Sequence, residues 1–254
     1  MNGIRFLICT AALVFAASSA LAAAHEQRRG EDVRYTVDGN TYEGYFVAPA
    51  AESRGLVLLM HDWDGLTAYE KLRSDMLAEA GYSVFAADLF GAGIRPEKVE
   101  DRRQHTGELY SDREKMRAIM RGALSAADER GADVDNAVAM GYCFGGAAVL
   151  EMARSGAALR GFALFHGGLG TPAGQDYADV EGEVRVYHGS ADAAVTLQDF
   201  AALANRLEAQ DIPHQMISYG GARHAFTVFG SERYHEAADR ASWAAFKRFL
   251  ERRL

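Results

Sequence analysis

Proline and cysteine are the scarce residues in this chain of 254 amino acids, with four of the first and two of the second. So little proline leaves no stiff extended linker, and no low-complexity tract or internal repeat divides the chain. Two cysteines cannot build the disulfide framework of a small secreted scaffold. There is no basic run, and the formal charge is −8, which argues against nucleic acid and anionic membrane surfaces as partners. The apolar stretch Phe6–Ala17 is short for a bilayer span. No spacing among the histidines suggests a metal site, and no cofactor is expected.

The N-terminus carries a secretory signal pattern. Arg5 supplies the positive end, Phe6–Ala17 the apolar core, and Ser18–Ala24 the small residues for cleavage after Ala22 or Ala24. The competing reading is an uncleaved anchor, against which stand the short core and the two serines behind it. The expected division is a signal peptide over 1–24 and one domain over 25–254, giving a secreted, periplasmic protein without membrane association, monomeric or weakly oligomeric. Cys9 leaves with the signal, so Cys143 becomes the only thiol and no internal disulfide is possible.

The remainder, in a chain 49% hydrophobic overall, alternates strands and helices. Val33–Val37 and Thr41–Val47 flank Asp38-Gly39-Asn40 as an antiparallel hairpin. The continuous apolar run Gly55–Met60 reads as a strand buried on both faces, further strands are read at Tyr82–Ala87, Asn136–Met140, Gly161–His166 and Glu183–His188, and a last one at His214–Tyr219. Helices are expected over Ala68–Ala80, around Glu97–Gln104, from a Ser111 cap to about Arg130, over Leu197–Gln210 and over Tyr234–Leu254, the last burying Trp243, Phe246 and Phe249. The fold class is α/β: a mostly parallel sheet with helices on both faces and an N-terminal antiparallel hairpin.

The polar residues after these runs carry the chemistry, because ligands collect at the carboxyl ends of parallel strands. Gly141-Tyr142-Cys143-Phe144-Gly145 is strand, sharp turn and helix with a thiol at the tip, a G-x-C-x-G version of the nucleophile elbow. Asp192 follows the next strand but one, and His224 follows the last. The order nucleophile, acid, histidine is that of an α/β-hydrolase triad. Cys143 would attack, His224 would take its proton, and Asp192 would orient the imidazole. The backbone N–H of Phe144 and one from Asp62-Trp63 would stabilise the oxyanion. Singly, each residue reads as packing, a turn cap or a loop histidine; together and in order they point to a site. His61, His188 and His214 read as hydrogen-bonded sheet-end residues, His25, His105 and His235 as surface residues, and His166 as a pocket wall.

Gly-Tyr-Cys-Phe-Gly-Gly, His-Gly-Ser-Ala-Asp, Gly-Ala-Arg-His-Ala-Phe-Thr and His-Asp-Trp-Asp-Gly-Leu closely resemble the dienelactone hydrolase family, from about Thr41 to the terminal helix. The resemblance implies an α/β-hydrolase fold, a Cys143–His224–Asp192 triad, and oxyanion donors at Phe144 and Trp63. It also implies a thiol-modulating carboxylate at Asp62, where the family has Glu, so contact with Cys143 or His224 is expected. The family's carboxylate-binding arginines have no match here, and Arg95, Arg223 and His166 are the candidate substrate contacts. The expected activity is cleavage of an ester or lactone through an acyl-enzyme, with fast alkylation of Cys143 near neutral pH. The alternatives are a non-catalytic or redox-sensing protein of the same fold, and an acyltransferase.

Overall fold

The computed structural model describes residues 30–254; the signal-peptide segment expected over 1–24 lies outside the described residues. β1 (Glu31–Val37) and β2 (Asn40–Val47) form the expected hairpin, with Asp38 and Gly39 both at positive φ (49° and 77°) in the turn. β2 then pairs antiparallel with β4 (Ser83–Ala87). From there the sheet is parallel through β3 (Leu56–Met60), β5 (Ala137–Tyr142), β6 (Gly161–Phe165), β7 (Glu183–Gly189) and β8 (His214–Tyr219). The eight strands run in the order β1-β2-β4-β3-β5-β6-β7-β8. Every residue of β3, β4, β5, β6 and β7 is buried, which is why the first four read as near-continuous apolar runs rather than alternating ones; β7 also buries Glu183 and Arg185, which pair with each other.

Helices cover both faces. α1 (Ala68–Glu79) and α6 (Glu236–Arg253) pack with Val57, Leu59, Val138, Met140 and Phe165 on one side, and α6 brings Trp243, Phe246 and Phe249 into that layer. α3 (Arg113–Asp128), α4 (Phe144–Arg154) and α5 (Leu197–Glu208) cover the other, where Leu56, Leu58, Met60, Phe162 and Val184 meet Met116, Met120, Val149 and Leu203. Burying Phe246 and Phe249 completely makes each a costly position to truncate, about 3–5 kcal/mol for Phe→Ala.

Between β4 and α3 the structure departs from the sequence expectation. The helix expected around Glu97–Gln104 is α2, Val99–Ser111. Ser111 therefore ends one helix instead of capping the next, its Oγ bonding the Gly107 carbonyl at 2.8 Å. Asp112 is the cap of α3, accepting the Lys115 N–H at 3.0 Å. The carboxylate, adjacent to Ser111 and charged, complements the positive helix start better than the hydroxyl does.

Candidate active site

The elbow is built by backbone crowding. Cys143 sits at φ 50°, ψ −111°, a conformation that costs about 1–3 kcal/mol for a residue with a Cβ. Four hydrogen bonds hold it there: Cys143 N–H to Phe165 O at 3.1 Å, and Gly146, Gly168 and Ala147 N–H to Cys143 O at 3.1, 3.2 and 3.4 Å. A Cβ at Gly145 would lie 2.3 Å from Met60 O and 2.5 Å from His61 O, so only glycine lets α4 approach β3.

The loops after β5, β7 and β8 bring the three expected residues together. Cys143 Sγ is 3.0 Å from His224 Nε2, and His224 Nδ1 is 2.8 Å from Asp192 Oδ2. The other carboxylate oxygen, Asp192 Oδ1, accepts the N–H groups of Ala194 and Val195, both at 2.9 Å. Burial pushes the Asp192 carboxyl up, but the His224 hydrogen bond and these two N–H groups outweigh it and hold it below its usual value. Asp192 is thus a fixed anion aimed at the imidazole.

Burial, then the charge of Asp62, then those of Asp192 and Asp64 push the Cys143 thiol up, with only the Phe144 N–H acting against them. The sulfur stands at hydrogen-bond distance from His224 Nε2. The direction of this shift runs against the fast alkylation expected near neutral pH. Phe144 N–H lies at the first turn of α4, and Trp63 N–H takes no acceptor among the described residues. The Trp63 N–H is free for an oxyanion, while the Phe144 N–H bonds the resting Cys143 sulfur and would turn to the oxyanion as the thiol attacks.

Asp62 acts differently from expectation. Its Oδ1 accepts the Asp64 N–H at 3.2 Å, and the thiol bonds to His224 instead, so Asp62 reaches Cys143 through its field. The shorter side chain closes on its own loop, where Asp62, Asp64 and Glu70 bring carboxylate oxygens within 4.8 Å of one another. Burial, a hydrogen bond with Asp64 and the charge of Glu70 push Asp62 well above the usual carboxylate range. Glu70, fully buried, is pushed up to about 7, first by burial and then by Asp64. It caps α1 by accepting Thr67 N–H at 2.8 Å and the Thr67 hydroxyl at 2.7 Å.

The candidate substrate contacts do not gather at the thiol. Arg95 donates to the carbonyls of Leu66 and Ile94 and lies 3.6 Å from the buried Asp88 carboxylate, so it splints its own loop. Arg223 is exposed. His166 is completely buried behind His224 and bonds Thr227. The surface beside the thiol is aromatic: Tyr110 and Phe90 pack on Phe144 at 5.4 and 5.7 Å, and Arg102 lies 5.3 Å over Trp63. Burial and the charge of Cys143 push the Tyr110 hydroxyl up to about 12. Tyr110 and Glu70 were missed because each sits on a helix whose spacing gives no sign of the thiol nearby.

The other histidines have structural places. His61 Nδ1 bonds Asp62 O at 2.6 Å and Nε2 accepts Leu89 N–H at 3.0 Å, tying the ends of β3 and β4. His214 bonds Ile212 O at 2.7 Å. His188 departs from the expected pattern: neither ring nitrogen has a protein partner, and the ring packs on Phe200 at 5.3 Å. His235 caps α6, and His105 stacks on Phe90.

Residues 42–254 match the model of the dienelactone hydrolase family. Among solved structures, m3DLH is similar at 29% identity and TM-score 0.82, covering 89% of this chain and 98% of its own. The dienelactone hydrolase-like promiscuous phosphotriesterase P91 from metagenomic libraries is similar at 28% identity and TM-score 0.81, covering 88% of this chain and 98% of its own. A thermophilic esterase from Thermogutta terrifontis, solved with propionate bound, shares the fold at 19% identity and TM-score 0.64, with 88% and 94% covered. No curated protein sequence matches the chain. With the family model spanning nearly all the described residues, the chain belongs to the dienelactone hydrolase family and is an ester hydrolase of the α/β-hydrolase fold.

Proposed function

We propose that the protein cleaves a neutral ester or lactone through a Cys143–His224–Asp192 triad and an acyl-enzyme. The observation that carries this reading is the unbroken line of contacts from Sγ to Nε2 at 3.0 Å and from Nδ1 to Oδ2 at 2.8 Å. As Sγ bonds to the carbonyl carbon, its proton passes to His224 Nε2. The imidazolium is held by Asp192, and the oxyanion takes the N–H groups of Phe144 and Trp63. When the C–O bond breaks, the proton leaves Nε2 for the alkoxide. Water then gives a proton to Nε2, attacks the thioester, and frees the acid and the thiol.

A neutral substrate is favoured because Arg95 is committed to Leu66, Ile94 and Asp88, while Asp62, Asp64 and Glu70 crowd the loop beside the thiol with acidic groups. The test is a panel of p-nitrophenyl esters, lactones and a neutral phosphotriester, each run with and without an added alcohol acceptor, on wild type beside Cys143→Ala. A product burst on esters that is absent from Cys143→Ala is expected. Cleavage surviving Cys143→Ala, or faster turnover of an anionic ester than of its neutral counterpart, would overturn the reading. Acyl transfer to the alcohol in preference to water would favour the acyltransferase alternative. Cys143 oxidised reversibly, with no burst on any ester, would favour redox sensing.

We further infer secretion to the periplasm after cleavage of the 1–24 signal, supported by its apolar core and small-residue end. Mass measurement of the N-terminus of the expressed full chain tests it; retention of Arg5 would refute it.

A further inference from the structure

Behind His224 lies a buried line of polar groups that ester cleavage does not use. His166, just past β6, is completely buried, and its ring stands edge-on to that of His224 with centroids 5.4 Å apart. Its Nε2 is 2.7 Å from Thr227 Oγ1, on the loop that carries His224. Thr227 Oγ1 is in turn 2.7 Å from Tyr69 Oη, to which Arg73 Nε donates at 3.3 Å. The same guanidinium donates from Nη2 to Thr227 O at 2.8 Å and pairs with Asp239 of α6. Arg73 is 1% exposed and packed 4.2 Å over Phe229 and 4.8 Å over Trp243, so it has one position.

Counting donors gives the line a direction. Arginine has no acceptor, so with Arg73 Nε donating to Tyr69 Oη, the phenol proton can pass to Thr227 Oγ1, the hydroxyl at 2.7 Å, and the relay takes that direction. Thr227, having accepted, has His166 Nε2 as the remaining partner for its own proton. Nε2 is then an acceptor, which leaves His166 neutral with its proton on Nδ1, a buried nitrogen with no hydrogen-bond partner among the described residues.

We propose that Arg73 is a positioning residue for His224, acting through a one-way relay of Tyr69, Thr227 and His166 that docks the His224 loop and keeps the neighbouring imidazole uncharged. The proposal rests on His224 being the base of the proposed reaction. His166 is faced by His224, by Asp192 after β7, by Tyr142 of β5, and by Tyr69 and Arg73 of α1. Were it protonated, two cations at this separation would oppose imidazolium formation on the order of a hundredfold at an effective dielectric near 20. Occupying Nε2 with a donor prevents that without adding a charge.

The test compares Thr227→Ser and Thr227→Val in the full chain, using nitrogen-15 spectra of labelled histidine and steady-state kinetics on an activated ester. Wild type and Thr227→Ser should show neutral His166 protonated at Nδ1. Thr227→Val should lose that signature, with kcat down about tenfold, the rate equivalent of one net hydrogen bond, and KM little changed. Thr227→Val matching wild type in spectrum and kcat, or Thr227→Ser failing as badly as Thr227→Val, would overturn the proposal. Should Thr227→Val not fold, Tyr69→Phe takes its place, and wild-type kcat in that variant would overturn it equally. Absence of Cys143-dependent turnover in wild type would sink the catalytic reading and Arg73's part in it, while the spectrum still decides the relay.

Discussion

Replacing Asp192 by asparagine should harm the enzyme more than replacing it by alanine, although asparagine is the closer match in shape. Asp192 Oδ1 is held by two backbone donors, Ala194 and Val195 N–H, each at 2.9 Å, while Oδ2 faces His224 Nδ1 at 2.8 Å. An asparagine must place its oxygen where the two N–H groups point, because an amide NH2 there would set donor against donor. Its NH2 then faces Nδ1 and donates to it. His224 is driven to the tautomer with its proton on Nε2, against the thiol 3.0 Å away, and can no longer accept the thiol proton. The loss has two parts, the wrong tautomer and the missing anion beside the imidazolium, worth about 4 kcal/mol at 4 Å and an effective dielectric near 20. That corresponds to roughly a thousandfold in kcat/KM. Alanine removes the anion but imposes no tautomer, so Asp192→Ala should retain more activity than Asp192→Asn. Burst kinetics with p-nitrophenyl acetate measure the acylation step directly. Asp192→Asn within tenfold of wild type, or above Asp192→Ala, would refute the assignment of Oδ1 to the backbone and Oδ2 to His224.

Three further outcomes follow from the same geometry. Asp62→Asn should lower the thiol pKa and speed iodoacetamide alkylation of Cys143 at pH 8, about tenfold for each pKa unit that the Asp62 charge contributes; an unchanged rate would show that its field does not reach the sulfur. Glu70, raised to about 7 in the folded chain, favours the native state below its unfolded pKa, and that contribution is lost as pH rises toward 7. Urea unfolding at pH 5 and pH 8 should therefore show a pH-dependent loss, up to roughly 3 kcal/mol, that Glu70→Gln removes; equal pH dependence in both proteins would contradict it. Gly145→Ala, which drives a methyl group into the carbonyls of Met60 and His61, should abolish soluble folded protein, as read by circular dichroism and thermal melting.

The parts of this molecule that were legible in the sequence are those where one physical requirement dominates. A strand buried on both faces has to be apolar along most of its length, so β3 through β6 announced themselves. The elbow needs glycine where backbone meets backbone, and Gly141 and Gly145 marked it. Cys143, Asp192 and His224 could be paired because topology puts the ends of β5, β7 and β8 along one edge of the sheet, with only β6 between the first two. What stayed hidden depends on side-chain direction. Nothing in the spacing says that Arg95 turns back onto Leu66 and Ile94, or that Asp62 closes on Asp64. The extent of α2 was hidden for another reason: thirteen mostly polar residues give no amphipathic period to read. Arg73 was invisible because a buried arginine among tyrosine, phenylalanine and tryptophan looks, in one dimension, like any surface cation.

The residue that caps the end of α6 has a practical side. Leu254 lies against Gly55, at the point where β3 begins, and Asn136 at the foot of β5 is its neighbour there. Cys143 stands beyond the opposite end of β5, whose six residues span about 20 Å at the usual rise. A tether attached to the carboxyl terminus would therefore hold the molecule by its base, and an immobilised layer would turn its catalytic mouths outward to the passing substrate.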